Sequence, residues 1–307
     1  MSTDDRQFLL LAAWMFLRHG QPSRARAFCE AVLEEDPRDG AAAAALAQIQ
    51  LDAGAPAAAL AALRAGDFPP ELAHAEALLE TRALLALGKK SDSDMFAAKA
   101  KQVYASYQKV FFDPARGVYR DGEGTDHAAQ HPNIVALAFG LVPQQHRQKV
   151  ADFCLSRGMA CSVGFAQCLL EGLFDVGRPD DALALITSTG DRSWLGMLDF
   201  GATVTMEAWA VKYKPNLDLN HAWGTPPLNV ISRYVLGVTP LEPGFEKIRV
   251  RPQVGSLEYV SGTVPTAKGP VKVEVKEHIL TVTVPAPARL EFAGHIRDVP
   301  PGRHLVR

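Results

Sequence analysis

The sequence predicts a mainly α protein closed by a small β domain, and three observations carry that prediction. Glycine recurs at a step of 34 residues near the start, at Gly20, Gly54 and Gly88. Helical runs joined by short loops follow, and beyond Val238 apolar residues alternate with period two. Composition shifts at the same places. Residues 1–90 are dense in alanine and poor in aromatics, whereas from Phe96 onward aromatics, glycines and isolated prolines return. The polar run Gly88-Lys89-Lys90-Ser91-Asp92-Ser93-Asp94 marks a seam, so three segments are expected, 1–90, 91–237 and 238–307.

The bulk numbers exclude several classes. The 307 residues suffice for about two domains with real cores, at 48% hydrophobic and 21% charged. A formal net charge of −2 argues against nucleic acid or an anionic membrane as a partner, since both select a basic face. No apolar run approaches the roughly 18 residues of a membrane span. The opening Met1-Ser2-Thr3-Asp4-Asp5-Arg6 carries acid where a signal peptide carries positive charge. Four cysteines (Cys29, Cys154, Cys161, Cys168) are too few for a disulfide framework in so long a chain. A soluble, cytoplasmic protein is expected.

In the first segment, helices are predicted over 8–17, 23–35, 41–51, 57–63 and 71–87. Glycine lets the chain leave one helix, and Pro22 or Pro56 two residues on starts the next without needing its N–H. Ala25 and Ala59 keep the step of 34 and let paired helices approach closely. A helix from Asp94 to Phe112 is expected to cover the last exposed face. In the second segment, helices are predicted over 144–156, 163–174, 180–186, 203–212 and 227–236, a succession of α/α hairpins. The third alternates at 248–250, 271–275 and 280–284, which predicts a small antiparallel sandwich with one wet face.

Two resemblances emerge from particular stretches. The period of 34, with Phe8-Leu9-Leu10-Leu11-Ala12-Ala13-Trp14 and Gly20-Gln21-Pro22-Ser23-Arg24-Ala25, resembles tetratricopeptide repeats and, within them, chaperones of type III secretion. That resemblance implies a groove holding a helical peptide or export substrate, or else hairpins that merely pack on the next domain. From about 95 to 295 the chain resembles the C-terminal part of an α-L-rhamnosidase of glycoside hydrolase family 78. The stretches are Gly124-Thr125-Asp126-His127, Leu137-Ala138-Phe139-Gly140-Leu141-Val142-Pro143, Ser156-Arg157-Gly158-Met159-Ala160-Cys161-Ser162-Val163 and Asp191-Arg192-Ser193-Trp194. They continue with Gly201-Ala202-Thr203-Val204-Thr205-Met206-Glu207-Ala208-Trp209, Lys214-Pro215-Asn216, Asn220-His221-Ala222-Trp223-Gly224 and Leu241-Glu242-Pro243-Gly244-Phe245. The resemblance implies helices of an (α/α)6 barrel followed by the sandwich.

The same resemblance implies an inverting mechanism, with one carboxylic acid protonating the leaving oxygen and a second carboxylate activating water. It places the base on Glu207 and a sugar- or water-directed histidine on His221. Trp209 and Met206 beside Glu207 are expected to raise its pKa. Trp194, Trp209 and Trp223 could stack on a sugar or pack in the core. Asp191 and Arg192 could hold hydroxyls or pair with each other, and Asn220 joins the substrate-binding set. His127 and His131 lie four apart, but Asp126 is the only further ligand nearby and Pro132 reads as loop, so no metal is expected. The spacing of seven between Cys154, Cys161 and Cys168 looks like a buried helix stripe. No cofactor is implied. The family's general acid and rhamnose-gripping aspartates lie in the earlier half of the barrel, and residues 1–90 do not match that stretch. The expected outcome is a rhamnosidase-like chain that is weak or inactive, acting if at all on a rhamnoside. The two resemblances together read as a chimera, a rearranged gene product or a genuine fusion.

Overall fold

The computed structural model describes residues 1–18 and 20–307. The chain forms two compact units, Met1–Val110 and Phe111–Arg307.

The first unit is three helical hairpins: α1 (Thr3–Arg18) with α2 (Pro22–Glu35), α3 (Gly40–Asp52) with α4 (Pro56–Ala65), and α5 (Ala73–Ala86) with α6 (Lys90–Phe111). The repeat is visible atom by atom at the hinges. Gly20, Gly54 and Gly88 take φ of 67°, 73° and 72°, the left-handed region that side chains disfavour. Each hinge closes the same two backbone bonds. Gln21, Ala55 and Lys89 N–H reach Phe16, Gln50 and Leu84 carbonyls at 2.9, 2.8 and 2.8 Å, while the glycines reach Leu17, Leu51 and Leu85. Ala25, Ala59 and Ser93 occupy equivalent positions and all three are buried, so small side chains hold each hairpin close. Asp39 caps α3 by accepting from Ala42 N–H at 2.9 Å, and Arg6 covers its charge.

The sequence reading ends the repeats at residue 90, but α6 begins there and supplies the second helix of the third hairpin. Ser93 Oγ donates to Thr81 O at 3.0 Å and His74 Nδ1 donates to Ala100 O at 2.9 Å, tying α6 to α5. Lys90 stands where the earlier repeats have proline, which hides the third hinge from a pattern search.

The second unit opens with a short ribbon, β1 (Phe112–Asp113) and β2 (Val118–Tyr119). Buried Asn133 mimics a strand partner for it, accepting from Tyr119 N–H at 2.7 Å and donating to Tyr119 O at 3.0 Å. Helices α7 (Gln130–Ala138), α8 (Arg147–Ser156), α9 (Ala166–Asp175), α10 (Pro179–Ile186), α11 (Trp194–Asp199) and α12 (Pro226–Val230) follow, with a π turn over Ile231–Val235. Every residue from Ala166 to Phe174 is buried, which makes α9 the helix around which the others pack. It carries Glu171, fully buried, whose carboxylate accepts from Arg233 and from Gln167 Nε2 at 2.7 Å. That pairing is what permits a charge in the interior.

Three local expectations change. Residues 203–212 are not helical: after α11 the chain runs as turns, because β-branched Thr203, Val204 and Thr205 lead into backbone bonds with a later segment. His131 and Pro132 lie in the first turn of α7, where proline needs no partner, so His127 in the preceding loop shares no helix face with His131. The cysteine stripe is buried, yet it spans α8, a loop and α9, because Gly158 at φ 56° ends α8. Burial pushes the Cys154 and Cys161 thiols up to about 12.

The C-terminal sandwich is two four-stranded sheets. One runs β10 (Gly302–Val306), β7 (Ile279–Val284), β6 (Val271–Lys276) and β5 (Tyr259–Val264); the other runs β3 (Val238–Pro240), β4 (Ile248–Val250), β8 (Ala288–Phe292) and β9 (His295–Val299). Alternate residues such as Val273, Val282, Ile248 and Leu290 meet in one buried core. The second sheet is mixed, since β4 pairs parallel with β8, Ile248 opposite Ala288. The intervening chain builds most of the other sheet, which gives the long crossover a parallel pair needs. Two-residue turns at Glu277-His278 and Ala293-Gly294 have both residues at positive φ, matching the strand twist.

A Gly54→Ala substitution meets no atom within 4 Å, so it tests the hinge backbone alone. We expect urea denaturation to show a loss of about 1–2 kcal/mol from forcing alanine into the left-handed region.

Candidate active site

Glu207 sits at the neck of a closed loop. Its N–H donates to Asp218 O at 3.0 Å, and His221 N–H donates to Thr205 O at 2.8 Å. Thr205 Oγ1 adds a bond to His221 O at 2.7 Å. These rungs clamp residues 205–207 against 218–221, and so bring Glu207 and His221 onto neighbouring positions of one neck. The loop between turns at Ala210–Tyr213 and Lys214–Leu217, which returns Lys214 toward Glu207.

Both oxygens of the half-buried Glu207 carboxylate are engaged. Lys214 Nζ bonds Oε1, and Asp218 N–H donates to Oε2 at 3.1 Å. The Lys214 ammonium, with the Asp218 amide and the charge of His221 in support, holds the Glu207 carboxyl below the usual glutamate range against the opposing effect of burial. The expected upward shift is therefore reversed. Met206 and Trp209 do flank Glu207 in sequence, but they turn into the protein and are buried, leaving its carboxylate among donors.

The tryptophans separate by role. Trp209 is 5% exposed, and its Nε1 donates to Cys161 O at 2.7 Å. It meets Trp194 edge-on at 5.0 Å, and Trp194 Nε1 donates to Gly224 O at 2.7 Å. Trp223 is half-buried and lies edge-on to His221 at 5.6 Å. Asp191 and Arg192 do not pair with each other; both close on Tyr213. The phenol donates to Asp191, Lys212 bonds Asp191 at 2.6 Å, and the Arg192 guanidinium lies 4.6 Å from the ring centroid. Lys212 and Tyr213 hold the Asp191 carboxyl below its ordinary range. Asn220 is exposed at the loop's end.

A cavity of about 290 Å³ opens beside this region, with Thr189, Asp191, Phe200, Met206 and Trp209 among its walls. Phe200 is 57% exposed, so an aromatic side chain and a carboxylate share the cavity lining. That combination suits a ring with an apolar face and hydroxyl edges. The structure thus sorts the sequence-derived residues into two groups. Glu207, His221 and Trp223 gather on the neck, while Asp191 and Trp209 line the cavity, with Trp194 against Trp209 and Arg192 over the Tyr213 ring. Lys214, Tyr213, Lys212 and Phe200 were not singled out from sequence. Lys214 lies in the quoted Lys-Pro-Asn stretch, which is the signal that pointed nearest to it. Elsewhere, His127 Nδ1 pairs with Asp121, and His131 packs on the Phe165 ring at 4.9 Å. Among the described residues, no group of three or more His, Cys, Asp or Glu side chains is disposed to hold a metal.

The second unit is thus a run of helical hairpins followed by a two-sheet sandwich, with a carboxylate and a histidine held on one neck. The sequence pattern of the bacterial α-L-rhamnosidase 6 hairpin glycosidase domain matches residues 73–235, and that of the bacterial α-L-rhamnosidase C-terminal domain matches residues 237–293. The chain belongs to the bacterial α-L-rhamnosidase 6 hairpin glycosidase family. A tetratricopeptide repeat pattern matches residues 16–80. The α-L-rhamnosidase of Alteromonas sp. (strain LOR) is 30% identical over 251 residues, covering 74% of this chain and 26% of that protein. The structure of an α-L-rhamnosidase from Dictyoglumus thermophilum aligns with a TM-score of 0.70 at 17% identity, over 87% of this chain and 39% of that one. The Streptomyces avermitilis α-L-rhamnosidase, solved with L-rhamnose, aligns at 0.67 and 19% identity, over 87% and 32%. The chain therefore spans about a quarter of the length of its Alteromonas relative.

Gly224 tests the neck. A Cβ there would lie 2.5 Å from Thr205 Cβ and 2.9 Å from Met206 O. We expect Gly224→Ala to cost about 1–3 kcal/mol in urea denaturation. Gly164→Ala, whose Cβ meets Trp223 at an ordinary 3.6 Å, is expected to stay near neutral.

Proposed function

We propose that this chain carries the base-bearing part of an inverting α-L-rhamnosidase site, with Glu207 as general base, and that its turnover alone is weak or absent. The observation that carries the reading is the neck, which sets an ionised carboxylate next to His221 and Trp223 in a member of this family. In the reaction, water attacks the anomeric carbon from the face opposite the leaving group. The new C–O bond forms as the glycosidic C–O bond breaks, the water proton passes to Glu207, and a separate carboxylic acid protonates the departing oxygen. Glu207 keeps lone pairs free beyond those used by Lys214 and the Asp218 amide, so it can still receive that proton. His221 directs water or sugar, and the ring of Trp223 offers an apolar face. Asp191, Arg192 and Asn220 hold sugar hydroxyls, and Trp194 braces Trp209 in the wall of the neighbouring cavity.

Weak turnover follows from what one carboxylate can supply. General acid assistance is worth about 10²–10⁴ in rate, and the acid belongs to a part of the family's domain that the resemblance places before residue 95. The test is hydrolysis of p-nitrophenyl α-L-rhamnoside by the chain and by Glu207→Gln. We expect slow release that drops by about 10² or more in the variant. Measurable and equal rates in both would remove Glu207 from the mechanism.

A second reading is favoured by the tetratricopeptide match and by Leu78, Leu85 and Met95, which are exposed in the first unit. In it, the hairpins hold an amphipathic helical peptide, as chaperones of type III secretion do, within a fused or rearranged cytoplasmic protein. Fluorescence titration of the full chain with such a peptide is expected to saturate, and to weaken about tenfold in Leu78→Asp/Leu85→Asp. Binding unchanged by those substitutions would dismiss this reading.

A further inference from the structure

We propose that Lys214 is the positioning residue for Glu207, fixing its carboxylate on the neck from the far side of the loop. This rests on the reading of Glu207 as the base. Three features of the loop point to the assignment. Lys214 is the cation bonded to the carboxylate, at Oε1, while the Asp218 amide takes Oε2, so the group is held by one donor on each oxygen. The turns at 210–213 and 214–217 exist in a segment with no regular structure, and their effect is to deliver this ammonium to Glu207. Its neighbour Lys212 takes a different partner, Asp191, so the two lysines divide the two carboxylates between them.

The groups facing Glu207 are Lys214, His221 and the Asp218 amide; burial opposes all three. An ammonium bonded to Oε1 favours the ionised carboxylate, which is the form a base must have before it meets water. It also leaves the carboxylate fewer orientations, and a misplaced base loses rate steeply. Removing it should raise the pH at which Glu207 takes up a proton.

The experiment is a pH titration of the full chain carrying ¹³C-labelled glutamate side-chain carboxyls, with the Glu207 resonance assigned by its loss in Glu207→Gln. The wild type is compared with Lys214→Met, Lys214→Arg and, as a neighbouring-charge control, Lys212→Met. The Glu207 midpoint is expected to move upward in Lys214→Met, to return toward the wild-type value in Lys214→Arg, and to stay in place in Lys212→Met. A midpoint unmoved in Lys214→Met, or moved equally in Lys212→Met, would overturn the assignment. The half-exposed Lys214 side chain makes a folding defect easy to separate, by comparing the remaining glutamate resonances and the thermal melt. Because the titration needs no turnover, it stands apart from the hydrolase reading. A moved midpoint without rhamnoside hydrolysis keeps Lys214 and loses the hydrolase, whereas hydrolysis with an unmoved midpoint does the reverse.

Discussion

The clamp between residues 205–207 and 218–221 is the constraint on which the candidate site depends. Regular secondary structure does not reach it: the chain from Phe200 to His221 has neither helix nor strand. Its backbone polar groups must therefore find partners across the loop. The Glu207–Asp218 and His221–Thr205 bonds satisfy them, and in doing so they fix the only two residues to which the family resemblance assigns chemistry. Gly224 completes the clamp by letting the 3₁₀ turn at Ala222–Gly224 lie against Thr205 and Met206, with its carbonyl taken by Trp194. Site and scaffold are here one set of hydrogen bonds.

The irregular turns of this segment part the aromatic wall from the carboxylate. Met206 and Trp209 face the interior, where Trp209 spends its single donor on Cys161 O. Glu207 faces the neck, where Lys214 and a backbone amide receive it. A buried tryptophan with its N–H satisfied is an anchor for the segment rather than a surface for sugar. Its burial of apolar area, of order a few kcal/mol, offsets the entropy of holding an irregular loop in place. Trp223, by contrast, is half-buried and lies edge-on to His221.

How much of this was legible follows from which forces act locally. The hinges at Gly20, Gly54 and Gly88 were legible because left-handed backbone selects glycine regardless of context, and the sandwich was legible because burial on one face writes period two directly into β6 and β7. The third hairpin was hidden where Lys90 replaced proline. Met206, Glu207, Ala208 and Trp209 have good helical spacing, and only the partner segment at 218–221, about a dozen residues on, decides otherwise. The pKa direction of Glu207 turns on the same contacts across the loop. Sequence adjacency named Trp209 and Met206 as its walls, whereas the loop delivered an ammonium from seven residues on. Parallel pairing of β4 with β8 likewise depends on where a long excursion returns.

The overlap of the two family patterns at residues 73–80 has a physical origin in the hairpin itself. A tetratricopeptide unit and an α/α-barrel unit are both antiparallel helix pairs that close a short turn and bury one face on the preceding pair. α5 satisfies both descriptions: it packs Leu79, Ala83 and Leu84 with Leu60 and Leu63 of the preceding hairpin, and it accepts α6 through Thr81 and His74. A boundary at residue 90 divides α5 from α6, two helices joined by the same left-handed glycine hinge that joins the two earlier pairs. The polar run at 88–94 is then the start of a helix, with its lysines and aspartates on the solvent side and Ser93 turned inward to bond Thr81. Sequence composition marks that run as a seam, whereas its hydrogen bonds make it a hinge, and the glycosidase pattern begins one helix earlier, at the third hairpin.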